Sequence, residues 1–137
     1  MPFDAPEPDP APEALAADGV VASAVELVAI EEVARLLEAG ETAAFTNAEL
    51  AYARARSDPA RRLAARLAAK RASVRLLANG VGEADVEVVR GAYGPPALRL
   101  SQRAELRLHA LGAAAALVSL THERAHAAAL VVLVARG

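Results

Sequence analysis

Cysteine is absent from the 137-residue chain, which excludes disulfide bridges and thiolate chemistry. Aromatic residues make up only 3%, with no tryptophan. The core must therefore be built from Ala, Val and Leu, and a platform for stacking nucleic-acid bases is lacking. Long apolar runs are missing too: Ala127 to Ala135 is the longest, far too short to span a bilayer, and its Val and Leu content suits a buried strand. No basic start precedes an apolar stretch, as a secretory signal requires. The expectation is a cytoplasmic, soluble protein with neither membrane nor nucleic acid as partner.

What is present is a chain with 55% apolar residues, long enough for one domain with a real core and too short for two of ordinary size. The formal charge of -2 hides an asymmetry, because Asp4, Glu7, Asp9, Glu13 and Asp18 all fall in the first eighteen residues and basic residues outnumber acidic ones afterwards. Residues 1–18 alternate Pro, Asp, Glu and Ala, with too little apolar surface to offset the entropy of ordering. They read as a disordered acidic tail, and residues 19–137 as the domain.

Gly19 to Val28 alternates apolar and polar residues as a strand with one face buried does, Glu26 pointing away from Val25 and Leu27. Ile30, Val33 and Leu37 then recur at helical spacing, with Glu31 and Glu32 in the first turn and Gly40 as the stop. Thr46 and Glu49 have the spacing of a capping box and open a short helix carrying Leu50 and Tyr52. Asp58-Pro59 starts a long helix to about Leu77, with Asp58 as N-cap. After Asn79-Gly80, the segments Asp85 to Arg90 and Leu98 to Leu100 pair about the turn Gly94-Pro95-Pro96. Ser101 caps a helix that Gly112 stops, and the strands Ala115 to Thr121 and Ala127 to Ala135 flank a loop with His122, Glu123 and Arg124. Mixed strands and helices without regular βα alternation predict an α+β fold with a largely antiparallel sheet packed by helices, one of them long.

The long helix carries Arg61, Arg62, Arg66, Lys70, Arg71 and Arg75 and no carboxylate after Asp58. Like charges four apart repel by about 0.2–0.5 kcal/mol per pair. An anionic partner relieves that repulsion, and guanidinium groups suit phosphate because they donate two parallel hydrogen bonds; a solvated basic face is the competing explanation. Of the three histidines, His109 and His126 lack metal-ligand spacing and read as structural. His122 follows Ser119-Leu120-Thr121 at the end of an apolar strand, where a rigid scaffold positions a side chain. Gly80-Val81-Gly82 is too short for a phosphate loop and reads as a helix-ending turn.

Five segments then occur in a familiar order: Glu26-Leu27-Val28-Ala29-Ile30, Phe45-Thr46-Asn47-Ala48-Glu49-Leu50, Arg66-Leu67-Ala68-Ala69-Lys70-Arg71-Ala72, Gly94-Pro95-Pro96 and Val118-Ser119-Leu120-Thr121-His122. Together they resemble the holo-acyl-carrier-protein synthases, which are small 4′-phosphopantetheinyl transferases, over nearly the whole chain after residue 18. The resemblance implies an α+β fold that forms a homotrimer, with coenzyme A bound in clefts between subunits. It implies a reaction in which magnesium helps move phosphopantetheine from coenzyme A to a serine of an acyl carrier protein or carrier domain. Arg66, Lys70 and Arg75 would face the coenzyme's phosphates, and Ser119, Thr121 and His122 would belong to the nucleotide side.

The same resemblance marks departures. The family has Asp at Glu26 and Glu at Arg71, the two positions that hold magnesium. Glu26 is a tolerable change of reach, but the guanidinium of Arg71 gives a hard cation no ligand and removes a carboxylate from the reaction centre. Glu31, Glu32 and Glu38 outnumber Arg35 on a first helix that is typically basic and receives an acidic carrier helix. Ala43 and Ala44 stand before Phe45-Thr46 where an Arg is usual, and Ala78 stands where a Gly is usual. Two functions stay open at this stage: a transferase with catalysis impaired or lost, or a non-catalytic trimeric coenzyme-A-binding or assembly module of fatty-acid or polyketide biosynthesis. Arg71 is expected to fill the vacated metal site, paired with Glu26 or lying against a coenzyme diphosphate.

Overall fold

The computed structural model describes residues 19–90 and 94–136, so the expected acidic tail, residues 1–18, lies outside the described residues. Nine elements follow in order: β1 (Val20–Ala29), α1 (Ile30–Ala39), α2 (Asn47–Arg54), α3 (Pro59–Leu77), β2 (Val86–Arg90), β3 (Pro96–Leu100), α4 (Gln102–Ala110), β4 (Ala115–His122) and β5 (His126–Val134). A single 3-10 turn, Glu83–Asp85, precedes β2. The strands form two antiparallel sheets, a three-stranded one in the order β1-β5-β4 and the hairpin β2-β3. The α+β architecture and all four expected helices are present.

Local chemistry sets several of these boundaries. The capping box forms as its spacing predicts: Thr46 Oγ1 accepts from the Glu49 amide at 3.1 Å, and Glu49 Oε1 accepts from the Thr46 amide at 2.9 Å. Ser101 caps α4 by accepting from the Ala104 amide at 3.2 Å. Gly40 ends α1 with φ 73°, a left-handed conformation that costs a glycine little. Asp58 departs from expectation, because it makes no capping hydrogen bond. Its carboxylate is instead drawn to Arg62 Nε at 3.1 Å and Arg61 Nη1 at 3.4 Å.

Helix α3 is the axis of the domain. It packs against the inner face of β1 and β5 on one side and against α1, α2 and β2 on others. Ala64, Ala65, Ala68, Ala69 and Ala72 are all buried along it. Small side chains let the helix backbone approach the sheet closely, so a core without large aromatics still packs. One part of the core gathers Val28, Val33, Leu63, Leu67 and Ala127 about the first half of α3. A second gathers Leu77, Leu108, Val131 and Leu133 about its second half.

The sheet faces are the reverse of what the β1 alternation suggests. Ala24, Glu26 and Val28 point toward α3, whereas Val25 and Leu27 remain 60% and 62% exposed. Register extends the outer face across the sheet: Leu27 pairs with Ala128 and Ala128 with Thr121, while Val25 pairs with Leu130 and Leu130 with Ser119. Leu117, Leu130, Val25 and Leu27 thus form an exposed apolar surface. Period-2 alternation shows that two faces differ but not which one meets the helix.

Candidate functional site

Basic side chains from three elements and a tyrosine from a fourth converge beside the N-terminal half of α3. Tyr52 comes from α2, Arg61, Arg62 and Arg66 from α3, Arg90 from the end of β2 and His122 from the end of β4, and with Ala65 and Leu120 they line a cleft of about 150 Å³. A second cavity of about 190 Å³ lies on the other side of Tyr52, Arg66 and Arg90, against Ala48, Val88 and Val89. Tyr52 is sandwiched by cations, with the guanidinium carbon of Arg56 4.1 Å and that of Arg66 4.2 Å from its ring centroid. Such stacking orients both guanidinium planes as well as attracting their charge.

These cations are poorly answered. Asp58 serves Arg61 and Arg62, but Arg56, Arg66 and Arg90 have no carboxylate partner among the described residues. Arg66 is buried, and its Nη1 donates to the Arg62 carbonyl at 3.3 Å. The Nε atoms of Arg61 and Arg66 are buried and find no acceptor among the described residues. A buried donor without an acceptor carries an uncompensated desolvation cost. Burial lowers the Arg66 pKa, with the neighbouring Tyr52 and Glu49 pulling it upward. Burial acts to raise the Tyr52 phenol, but the charges of Arg66, Arg56, Arg62 and Arg90 outweigh it and hold the pKa below the usual tyrosine value. The cleft is built to receive negative charge.

Apart from Lys70, the sequence-predicted residues separate into three places. Arg66 and His122 line the cleft. Ser119 and Thr121 are exposed on the outer sheet face, because alternation along β4 turns them away from Leu120, but Thr121 and His122 together line a pocket of about 140 Å³ with Leu27, Glu123, His126 and Ala128. Lys70 is in neither place, which corrects its expected role at a phosphate. It is fully buried, and its Nζ donates to Glu49 Oε1 at 2.8 Å and to the Val86 carbonyl at 2.6 Å. Glu49 Oε2 also accepts from the Val88 amide at 2.8 Å. One buried ion pair therefore ties α2, α3 and β2 together, the three elements that carry Tyr52, Arg66 and Arg90.

The third place is the opposite flank of α3. Arg75 Nη1 lies 2.7 Å from Glu26 Oε2, and its Nη2 donates to the Val25 carbonyl at 2.9 Å. Arg71 Nη2 lies 2.7 Å from Glu32 Oε2. The expected pairing of Arg71 with Glu26 is thus replaced by two pairs, Arg71 with Glu32 and Arg75 with Glu26. The hydrogen bond that Arg71 donates to Glu32 raises its pKa, assisted by the charges of Glu32, Glu83 and Glu26 and opposed by partial burial. Magnesium requires several oxygen ligands in near-octahedral order. Glu26 is already engaged by a cation, and no group of three or more His, Asp or Glu side chains among the described residues is placed to hold a metal ion. The donors present do not fit the ion.

Sequence reasoning counted Arg61 and Arg62 as cations of the helix, but it missed the part played by Tyr52, Arg56 and Arg90. Tyr52 stood out only as an apolar residue of a short helix. Arg90 closes a strand 24 residues after Arg66, and nothing local signals their meeting.

Guanidinium groups stacked about a tyrosine in a small α+β domain offer the donors that phosphate or carboxylate groups accept. No protein-family model matches the chain. The holo-[acyl-carrier-protein] synthase of Thermus thermophilus is 46% identical over 122 residues, covering 85% of this chain and 95% of the relative. The acyl carrier protein synthase structure from Mycobacterium tuberculosis matches with a TM-score of 0.66 at 34% identity, covering 86% of this chain and 100% of that one. A synthase complex with coenzyme A from Chronobacterium ammoniagenes matches with a TM-score of 0.65 at 25% identity, covering 84% and 97%. The chain belongs to the holo-acyl-carrier-protein synthase family. Among its described residues, no helix is long and apolar enough to cross a membrane.

Proposed function

We propose that this chain binds coenzyme A as its relatives do, and that its transfer of phosphopantetheine to an acyl carrier protein or carrier domain is impaired or lost. The observation that carries the second part is Arg71 held by Glu32 at 2.7 Å. A fixed cation stands where the family resemblance puts a carboxylate, so neither a metal ligand nor a proton acceptor for the attacking serine is supplied from that position. The cationic cleft supports the first part, because Arg61, Arg62, Arg66, Arg90 and His122 make a seat for a phosphorylated nucleotide.

The helix itself argues for a site shared between copies. Arg66 and Arg71 are five residues apart, which is about 140° around an α-helix. A site formed between two copies would let one ligand meet both. The exposed outer sheet face is the surface best suited to contact between the copies of a trimer. Val25, Leu27, Leu117 and Leu130 give that face its apolar character, and burying each is worth about 1.5–3 kcal/mol. Leu27→Asp is expected to convert the trimer to monomers in sedimentation velocity and to weaken coenzyme binding with it; a monomeric wild-type protein would refute the shared site.

Helix α1 does not favour an acidic carrier protein. Glu31 is matched by Arg35 at 3.4 Å and Glu32 by Arg71 at 2.7 Å, while Glu38 on the same short helix has no cation partner among the described residues. The deciding experiment titrates coenzyme A into the protein by calorimetry and then incubates the pair with apo carrier proteins. Binding without phosphopantetheine addition by mass spectrometry is the expected result. Efficient addition would refute impaired transfer, and absence of binding would refute the coenzyme reading. The non-catalytic assembly module remains the second reading, favoured by the same Arg71 contact.

A further inference from the structure

Arg71 and Arg75 are four residues apart on α3 and share one face of the helix, where two cations would ordinarily repel. Each is answered from a different element. Glu32 comes from α1 and meets Arg71 at 2.7 Å, while Glu26 comes from β1 and meets Arg75 at 2.7 Å. Two carboxylates and two guanidinium groups sum to zero charge. Two carboxylates around a divalent ion do the same. The four side chains thus neutralise one another without a metal ion, and the donor set cannot hold one.

The pairs are also partly open. The side chains of Arg71 and Glu32 are 35% and 43% exposed, and those of Arg75 and Glu26 are 58% and 23% exposed. A guanidinium has five N–H donors. Arg71 presents Nη2 to Glu32, and its remaining donors have no protein acceptor among the described residues. It can keep Glu32 and still receive two phosphate oxygens. Glu32 and Glu26 then act as positioning residues, fixing the direction in which each guanidinium faces.

We propose that Arg71 and Arg75 form a metal-free clamp for a diphosphate group, standing in for the divalent ion and making ligand binding independent of magnesium. The proposal deepens the coenzyme reading and rests on it for the identity of the ligand. Chemically, the clamp fits the diphosphate of coenzyme A, since paired guanidinium groups bind adjacent phosphoryl oxygens and neutralise them without an exchangeable ion.

The test pairs calorimetric titration of coenzyme A, in magnesium and in chelator, with manganese uptake followed by electron paramagnetic resonance in the absence of coenzyme. The wild-type protein is expected to take up no manganese and to bind coenzyme A equally in both buffers. Arg71→Gln should weaken binding about tenfold in chelator, the worth of one charge-assisted contact. Arg71→Glu, checked by circular dichroism to be folded, restores a carboxylate beside Glu26 and Glu32 and should take up manganese and bind coenzyme A only with magnesium. Stoichiometric manganese uptake by the wild type, loss of its coenzyme affinity in chelator, or unchanged affinity in Arg71→Gln would overturn the clamp while leaving the coenzyme reading intact. Absence of coenzyme binding in both buffers would overturn the reading itself, and the clamp with it.

Discussion

The two flanks of α3 carry the same kind of residue and treat it in opposite ways. On the cleft side Arg66 is buried with its Nε unpartnered, and Arg56 and Arg90 have no carboxylate among the described residues. On the far side Arg71 and Arg75 each hold a carboxylate at 2.7 Å. A cation left unanswered inside a folded chain costs stability and is retained where a ligand supplies the missing charge. A cation that is answered can instead replace another charge, as a guanidinium can a metal ion. Between the flanks sits Lys70, the one basic side chain of α3 enclosed completely.

Breaking that seam should have the largest effect. Lys70→Met leaves Glu49 charged and buried without its partner, a loss of about 3–5 kcal/mol, read as a shift of the urea unfolding midpoint. Adding Glu49→Gln removes the stranded charge while keeping an acceptor for the Val88 amide, and should recover more than half of the loss. A cost below about 1 kcal/mol for Lys70→Met would mean that the lysine is free to turn toward a ligand after all. Next in size is Arg66→Ala, expected to lower coenzyme A affinity about tenfold or more in calorimetry while the fold is retained.

The unequal treatment of these residues also shows what a sequence can disclose. The capping box of Thr46 and Glu49 was legible because it closes within one helical turn. The second duty of Glu49 was not, because Lys70 is 21 residues away and Val88 is 39 away. Charge spacing put Arg62, Arg66 and Lys70 at successive four-residue steps, yet it cannot say that Lys70 is enclosed with Glu49 while the buried Arg66 borders a cleft. The strand at Glu26 was legible as a strand, and the direction of its faces was not, since the inner face uses Ala22, Ala24 and a paired Glu26 while larger apolar groups face outward. Arg71 was singled out as a cation where the resemblance implies a carboxylate. Its partner was misjudged because α1 brings Glu32 nearer than the sheet brings Glu26.

Two smaller effects sharpen the contrast. Tyr52 reports the unanswered charge directly. In a Tyr93→Phe background its phenol should ionise below the usual tyrosine pKa of about 10 in an ultraviolet titration. Arg66→Ala should move that ionisation upward, since removing a cation destabilises the phenolate; no movement would place the charge elsewhere. Ala78 reports a different strain. It follows α3 with φ 54° and ψ -158°, a region that glycine almost alone occupies. Ala78→Gly should stabilise the protein by about 1 kcal/mol, after allowing for the looser unfolded chain, with a higher melting temperature as the readout.

The smallest expected effect lies at the answered flank. A double-mutant cycle with Glu32→Gln and Arg71→Gln should give a coupling below about 1 kcal/mol, because both side chains are more than a third exposed and solvent screens the pair. Weak coupling without ligand fits the clamp, in which Glu32 sets the direction of a guanidinium whose other donors stay open to a phosphate. The same cycle repeated with coenzyme A bound should change in size, since Glu32 then orients a guanidinium that is also holding the ligand. A coupling of several kcal/mol without ligand would mean a rigid structural tie, and Arg71 would then belong with Lys70 among the residues that hold the fold together.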